Sequence, residues 1–220
     1  MSAVIIPMRP RREQAPRPAE YHDPKHASSK ESTLRHARRY RDAVRLLRAA
    51  HLPDGAILDC ACGTGYGTAI LAKAFKGRCV IGVDRNHGAL DVARARYRVE
   101  GVAFYGMSIH QAGAWLHGFH PLAAVVCIET LEHLAEHQQA PWLERAYNAL
   151  EPGGLLVVMC PVRKGRRKPR NPWHLYEPTF EELADLMGGT GGEVTTYPPE
   201  DYISTAGERA WQATATASRI

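Results

Sequence analysis

Two hydrophobic periods alternate along most of this chain. Leu34, Ala37, Val44, Leu46, Leu47 and Ala50 recur at helical spacing with arginines between them, so residues 30–50 predict an amphipathic helix. Pro53, Asp54 and Gly55 then predict a turn. Beyond it, short apolar runs at 56–60, 79–84, 102–107, 122–128 and 154–160 read as strands. Helical patterns lie between them at 66–75, 87–99, 111–117 and 131–150, with Pro141 placed to begin a new helix within the last of these. Pro152 and Gly153 predict a turn before the fifth strand. A helix over 179–187 follows, with Thr179 as its cap and Glu182 three residues on. Runs at 193–197 and 210–218 close the chain as two strands with no helix between them. Strands alternating with helices predict an α/β fold, a seven-stranded mostly parallel sheet with helices on both faces. The terminal pair adds one antiparallel strand. Residues 30–220 read as a single domain, and residues 1–29, rich in Pro and Arg and without either period, as a flexible basic arm.

Composition removes several classes. Of the 220 residues, 45% are hydrophobic and 23% charged, which fits a globular chain and excludes a disordered or collagen-like one. No apolar run approaches the ~18 residues that span a bilayer, and the basic residues of the N-terminus follow its short apolar patch instead of preceding it. The expectation is a cytoplasmic protein without a membrane span. Five cysteines, an odd number without a Cys-x-x-Cys pair, read as small buried hydrophobes in a reducing compartment, and no metal site is expected from them.

The net charge of +5 is an average over unlike parts. Residues 1–50 are net +7 and residues 163–170 net +6, whereas the remainder carries ten basic and eighteen acidic residues. A basic loop on an acidic body can meet a phosphate, a carboxylate or nucleic acid, or simply be solvated.

Residues 57–68 read ILDCACGTGYGT. A strand ends, glycines follow at 63, 65 and 67, and a helix begins. Ligands of open α/β sheets bind at such carboxyl ends, where glycine lets backbone approach them closely. Asp59 lies four residues before Gly63, and Asp84 ends the next strand, where an acidic side chain takes ribose hydroxyls. A carboxylate beside the loop repels a pyrophosphate, and the glycine spacing is not that of a dinucleotide site. It suits a ligand with a cationic amino-acid end and a ribose, such as S-adenosylmethionine (SAM).

With these residues in place the chain resembles the class I SAM-dependent methyltransferases, over about residues 36–190. LDCACGTGYG resembles the family's first motif and VIGVDRN its second. VVCIETLEHL resembles the fourth-strand motif of the subgroup with Glu-x-x-Glu-His, and LEPGGLLVVMCP and NPWHLYEPTFEEL resemble the segments that follow. The resemblance implies a Rossmann-like methyltransferase sheet and SAM as cofactor. It implies that Asp59, Gly63 and Gly65 line the methionine end, with Cys60 and Tyr66 also among the cofactor-binding residues, that Asp84 holds the ribose with Arg85 along the adenine, and that Glu129 sits beside the sulfonium. Met107 and Ser108 stand near the adenine amine, where the family usually has an acid. His133 and His174 are the candidate general bases. Arg39, Tyr40, Trp173 and Tyr176 are candidate acceptor-site residues. Gly67 reads as a tight turn or a cofactor contact. His133 and His137 have a metal-binding spacing, but the sequence shows no third ligand beside them.

The acceptor is less constrained. Ile128-Glu129-Thr130-Leu131 lacks the signature of exocyclic-amine DNA methylation, and Cys160-Pro161 reverses the order that cytosine C5 methylation needs. The segment after strand five is short, which favours a small-molecule or glycan-like acceptor, methylated on O or N, with an anionic group to answer the basic loop. An enzyme acting on RNA or protein, or a catalytically silent partner subunit, is the alternative.

Overall fold

The computed structural model describes residues 30–111, 116–119, 121–163, 171–197 and 212–219. The arm at 1–29 and all of the basic loop except Arg163 lie outside the described residues. The elements run α1 (Lys30–Ala49), β1 (Ala56–Cys60), α2 (Tyr66–Ala74), β2 (Val80–Asp84), α3 (His87–Arg96), β3 (Val102–Gly106), β4 (Leu122–Ile128), α4 (Glu136–Asn148), β5 (Leu150–Pro161), α5 (Phe180–Gly188), β6 (Glu193–Tyr197) and β7 (Gln212–Ser218).

The strands form one sheet in the order β3-β2-β1-β4-β5-β7-β6. β7 runs antiparallel to both of its neighbours, β5 and β6, while the other adjacent strands pair in parallel. The chain leaves β1 toward β2 and β3, then returns to the other side of β1 with β4. Strand order therefore reverses at β1, the place where open α/β sheets bind ligands.

Alternation along the strands sorts the core into two layers. Leu58, Cys60, Val125, Cys127, Leu156 and Val158 face α4 and α5 and pack on Trp142, Leu143, Leu183 and Met187. Ile57, Val80, Val126, Ile128, Val157 and Met159 face α1 and α2 and pack on Tyr40, Leu47 and Leu71. β4 is buried along its whole length because helices cover both faces, which is why its sequence is continuously apolar. α3 packs separately through Leu90 and Ala93 on Cys62 and Phe104.

Four local expectations are corrected. Pro141 lies inside α4, which starts at Glu136; the Gln138 side chain accepts from the Ala135 amide at 3.2 Å and supports that start. The missing Pro141 amide would have met the carbonyl of exposed His137, where solvent can serve the freed oxygen. Residues 131–133 form a separate 3-10 turn, so His133 and His137 do not share a helix. Pro152-Gly153 is not a turn between elements: β5 begins at Leu150, and its register with β4 shifts between Leu122 and Ala124, with Gly153 at φ 79°. Around 111–117 the described residues form two 3-10 turns, Ile109–Gln111 and Leu116–Phe119, in place of a helix.

Candidate active site

The carboxyl ends of β1, β2 and β4 carry Asp59, Asp84 and Glu129. Gly63 and Gly65 follow β1 with φ of 54° and 80°, a backbone that side chains disfavour. Gly65 is also crowded: a Cβ there would lie 2.7 Å from the Ala93 Cβ and 2.8 Å from the Phe104 ring. Gly67 is neither a turn nor a positive-φ residue. It lies in α2 where the Tyr40 ring occupies the space of a side chain, so its smallness is a packing requirement.

Asp59 is fully buried, and its two oxygens accept from the Tyr40 hydroxyl at 3.0 Å and the Thr68 hydroxyl at 2.6 Å. Burial pushes its carboxyl up to about 7, against the pull of these two bonds. Asp84 accepts from the amides of Gly63 and Asn86, each at 2.8 Å, which ties the glycine loop to the end of β2. Burial likewise raises its carboxyl above the usual range. Cys60 is buried in the core behind the loop, whereas Tyr66 is partly exposed and packs edge-on to Tyr40. Arg85 is exposed beyond β2, and Met107, partly buried, donates its amide to the Asp84 carbonyl at 2.9 Å beside Ser108. Tyr40, expected at the acceptor, is instead buried with its hydroxyl on Asp59.

Glu129 leaves β4 with φ 52°, an uncommon conformation for a side-chain-bearing residue, and its carboxylate lies 3.6 Å from the Arg39 guanidinium. Just beyond it, Glu132, His133 and His174 come together. The two imidazoles meet edge-on at 5.1 Å between centroids. Forty residues of sequence separate them, and a backbone clasp joins their segments. The Leu175 and Tyr176 amides donate to the Glu132 carbonyl at 2.8 and 3.2 Å, and the buried Gln139 amide donates to the carbonyls of Leu131 at 3.0 Å and Tyr176 at 2.9 Å. The Trp173 carbonyl pairs with His133 Nδ1 at 3.1 Å, while the Trp173 ring remains exposed. Tyr176 is engaged elsewhere: its hydroxyl donates to Glu182 at 2.8 Å and accepts from Arg163 at 2.9 Å.

Ligand atoms of Glu132, His133 and His174 all lie within 4.8 Å of one another, a set that could hold a metal ion. The sequence pairing of His133 with His137 missed it, because the third donor comes from the loop after β5. A hollow of about 670 Å³, lined by Asp54, Lys76, Arg78 and Pro121, lies at the opposite, amino-terminal edge of the sheet and contains none of these groups.

The fold has known counterparts. Residues 57–154 match the model of a methyltransferase domain family. The fold superposes on a magnesium protoporphyrin IX methyltransferase from Synechocystis PCC 6803, solved with bound SAM, with a TM-score of 0.65 at 18% identity over 87% of this chain and 83% of that one. From β1 into the start of β5 this chain thus resembles a methyltransferase domain. Among its curated relatives is a trans-aconitate 2-methyltransferase of Variovorax paradoxus, 30% identical over 56% of this chain and 45% of that protein. Another trans-aconitate 2-methyltransferase, from Sinorhizobium fredii, is 28% identical over 72% of this chain and 58% of that protein. The chain thus spans about half the length of these relatives. Among its described residues no helix is long and apolar enough to cross a membrane.

Proposed function

We propose that this chain is a SAM-dependent methyltransferase, which binds SAM along the carboxyl ends of β1 and β2 and transfers its methyl group to an oxygen or nitrogen of a small, anionic acceptor. One observation carries this reading. Two carboxylates that suit an ammonium and a ribose flank a glycine loop on the same sheet edge as Arg39, Glu129, His133 and His174. The residues fit the cofactor. Asp59 has no cationic partner among its described bonds, and its raised carboxyl is the state that a ligand ammonium would reverse. The Asp84 oxygens accept from backbone amides at the mouth of the loop, an acceptor set that suits a ribose hydroxyl. Bound SAM supplies an electrophilic methyl group on a sulfonium.

The chain then has three tasks. Asp59, Gly63 and Asp84 hold the cofactor, with Tyr40 and Thr68 fixing the Asp59 carboxylate. The loop carrying Trp173 and His174 aligns the acceptor, a matter of proximity and orientation. A hydroxyl acceptor also loses a proton. His133 is suited to take it, because burial and the neighbouring His174 lower its pKa and keep it neutral. A carboxylate acceptor needs no base. The trans-aconitate methyltransferases among the relatives make that tricarboxylate the first compound to assay.

The test is transfer of a labelled methyl group from SAM to a panel of carboxylates, sugars and phenols. Asp84→Ala should weaken SAM binding at least about tenfold, equivalent to ~1.4 kcal/mol. Unchanged affinity in a calorimetric titration would overturn the placement of the ribose.

A further inference from the structure

Glu132 raises a problem that the methyl-transfer reading leaves unsolved. Its side chain is fully buried, and neither carboxylate oxygen has a hydrogen-bond partner. The nearest basic group, His174 Nε2, is 3.9 Å from Oε1, beyond hydrogen-bond reach. The Cys127 and Cys160 thiols lie close by, and burial pushes both well above the ordinary thiol range, so they are neutral and supply no charge. An ionised carboxylate without a partner does not persist in such a place. It must be protonated or neutralised by a cation.

The two histidines favour the cation. The Trp173 carbonyl can only accept, so His133 places its proton on Nδ1 and leaves the Nε2 lone pair free. His174 Nδ1 lies 2.5 Å from Glu177 Oε1, so that nitrogen also carries the proton. Its Nε2 lone pair accepts only from the amide of exposed Asn171 at 2.9 Å, a contact that can be exchanged for water. Two imidazoles, each oriented by a second acceptor, thus bring ring nitrogens within 4.8 Å of one unpartnered carboxylate. Carboxylate- or carbonyl-backed histidines are how proteins orient metal ligands.

We propose that Glu132, His133 and His174 form a binding site for a divalent first-row transition-metal ion. Two imidazoles and one carboxylate suit zinc, cobalt or manganese more than magnesium, which prefers all-oxygen surroundings. Three protein ligands leave coordination positions open. With the ion bound, the His133 Nε2 lone pair is taken and His133 is no longer the base; an acceptor oxygen next to Glu129 would fill an open position and lose its proton to solvent there. That catalytic role rests on the methyl-transfer reading; the binding itself does not.

The test uses the full chain stripped with a chelator, titrated with Co2+ and separately with Mg2+, and read by visible absorption and thermal melting. The expected result is one Co2+ per chain, with bands from mixed nitrogen and oxygen ligands and a raised melting temperature. Affinity should fall at least tenfold in Glu132→Gln and in His174→Ala and stay unchanged in the control His137→Ala. A glutamine side chain mimics a protonated glutamate, so metal-free Glu132→Gln should melt as the stripped wild type does. Binding that is equal in wild type and Glu132→Gln, or lost only in His137→Ala, would overturn the site. Calorimetry with SAM on the same stripped protein separates the two proposals. SAM binding without a Co2+ site removes only the metal, and a Co2+ site without SAM binding removes only the cofactor reading.

Discussion

Replacing Tyr40 by Phe deletes one oxygen atom and leaves the ring that fills the space over Gly67. The atom lost is the donor 3.0 Å from a fully buried Asp59 oxygen, which leaves Thr68 as the remaining side-chain donor. A hydrogen bond to a charged buried group contributes about 1.5–3 kcal/mol. The cost depends on pH, because Asp59 titrates at about 7 in the folded protein against 3.8 as its ordinary value. Between those values the native state binds more protons than the unfolded chain, so the contribution of Asp59 to stability falls as pH rises through the window. The Tyr40 bond offsets that fall by favouring the carboxylate, and without it the native pKa of Asp59 moves higher still. Tyr40→Phe should therefore melt close to wild type at pH 5, where Asp59 is protonated in both. By pH 8, one unit above the native pKa, the lost bond shows as at most ~1.4 kcal/mol, so the variant should melt about 4 °C lower at roughly 2–4 °C per kcal/mol for a domain of this size. Comparing the two proteins at each pH cancels every titration they share. Thermal melts followed by circular dichroism in steps from pH 5 to 8.5 measure the gap. A deficit constant across that range, or one larger at pH 5, would refute the charged pairing of Tyr40 with Asp59.

Two further perturbations address the frame of the site. Gly65→Ala must place a methyl group against Ala93 and Phe104 at positive φ, so it should destabilise by about 2–4 kcal/mol, read as a lower midpoint in urea. Gln139→Ala removes the donor that joins the 131–134 turn to the Tyr176 carbonyl; stability should drop by ~1–3 kcal/mol, and amides near 171–177 should exchange hydrogen faster than those of β4. Unaltered exchange there would show that the backbone clasp at Glu132 suffices alone.

Much of the fold was legible from local pattern. β1, β4 and β6 match their expected spans, because a strand covered on both faces is continuously apolar and a half-covered one alternates. Thr179 caps α5 and Glu182 returns its bond to the Thr179 amide at 2.8 Å, a reciprocal pair visible in the spacing alone. Legibility failed where a feature had two readings. Pro141 can start a helix or sit within one, and Pro152-Gly153 can end a strand or shift its register. Which reading holds depends on exposure and on the neighbouring strand.

The site divides in the same way. Asp59, the glycine loop and Asp84 lie within 26 residues of sequence, and a strand–loop–helix–strand unit carries them together, so their spacing alone pointed to a ligand with an amino-acid end and a ribose. Glu129, Glu132 and His133 were likewise visible as a group on one short segment. Only the tertiary structure brought His174 to them and buried Glu132 without a partner. Only it turned Tyr40 from an acceptor candidate into the donor that holds Asp59. Spacing along the chain reports which groups share a local element. Desolvation and lone-pair direction depend on contacts between distant segments, and these exist only once the chain has closed on itself.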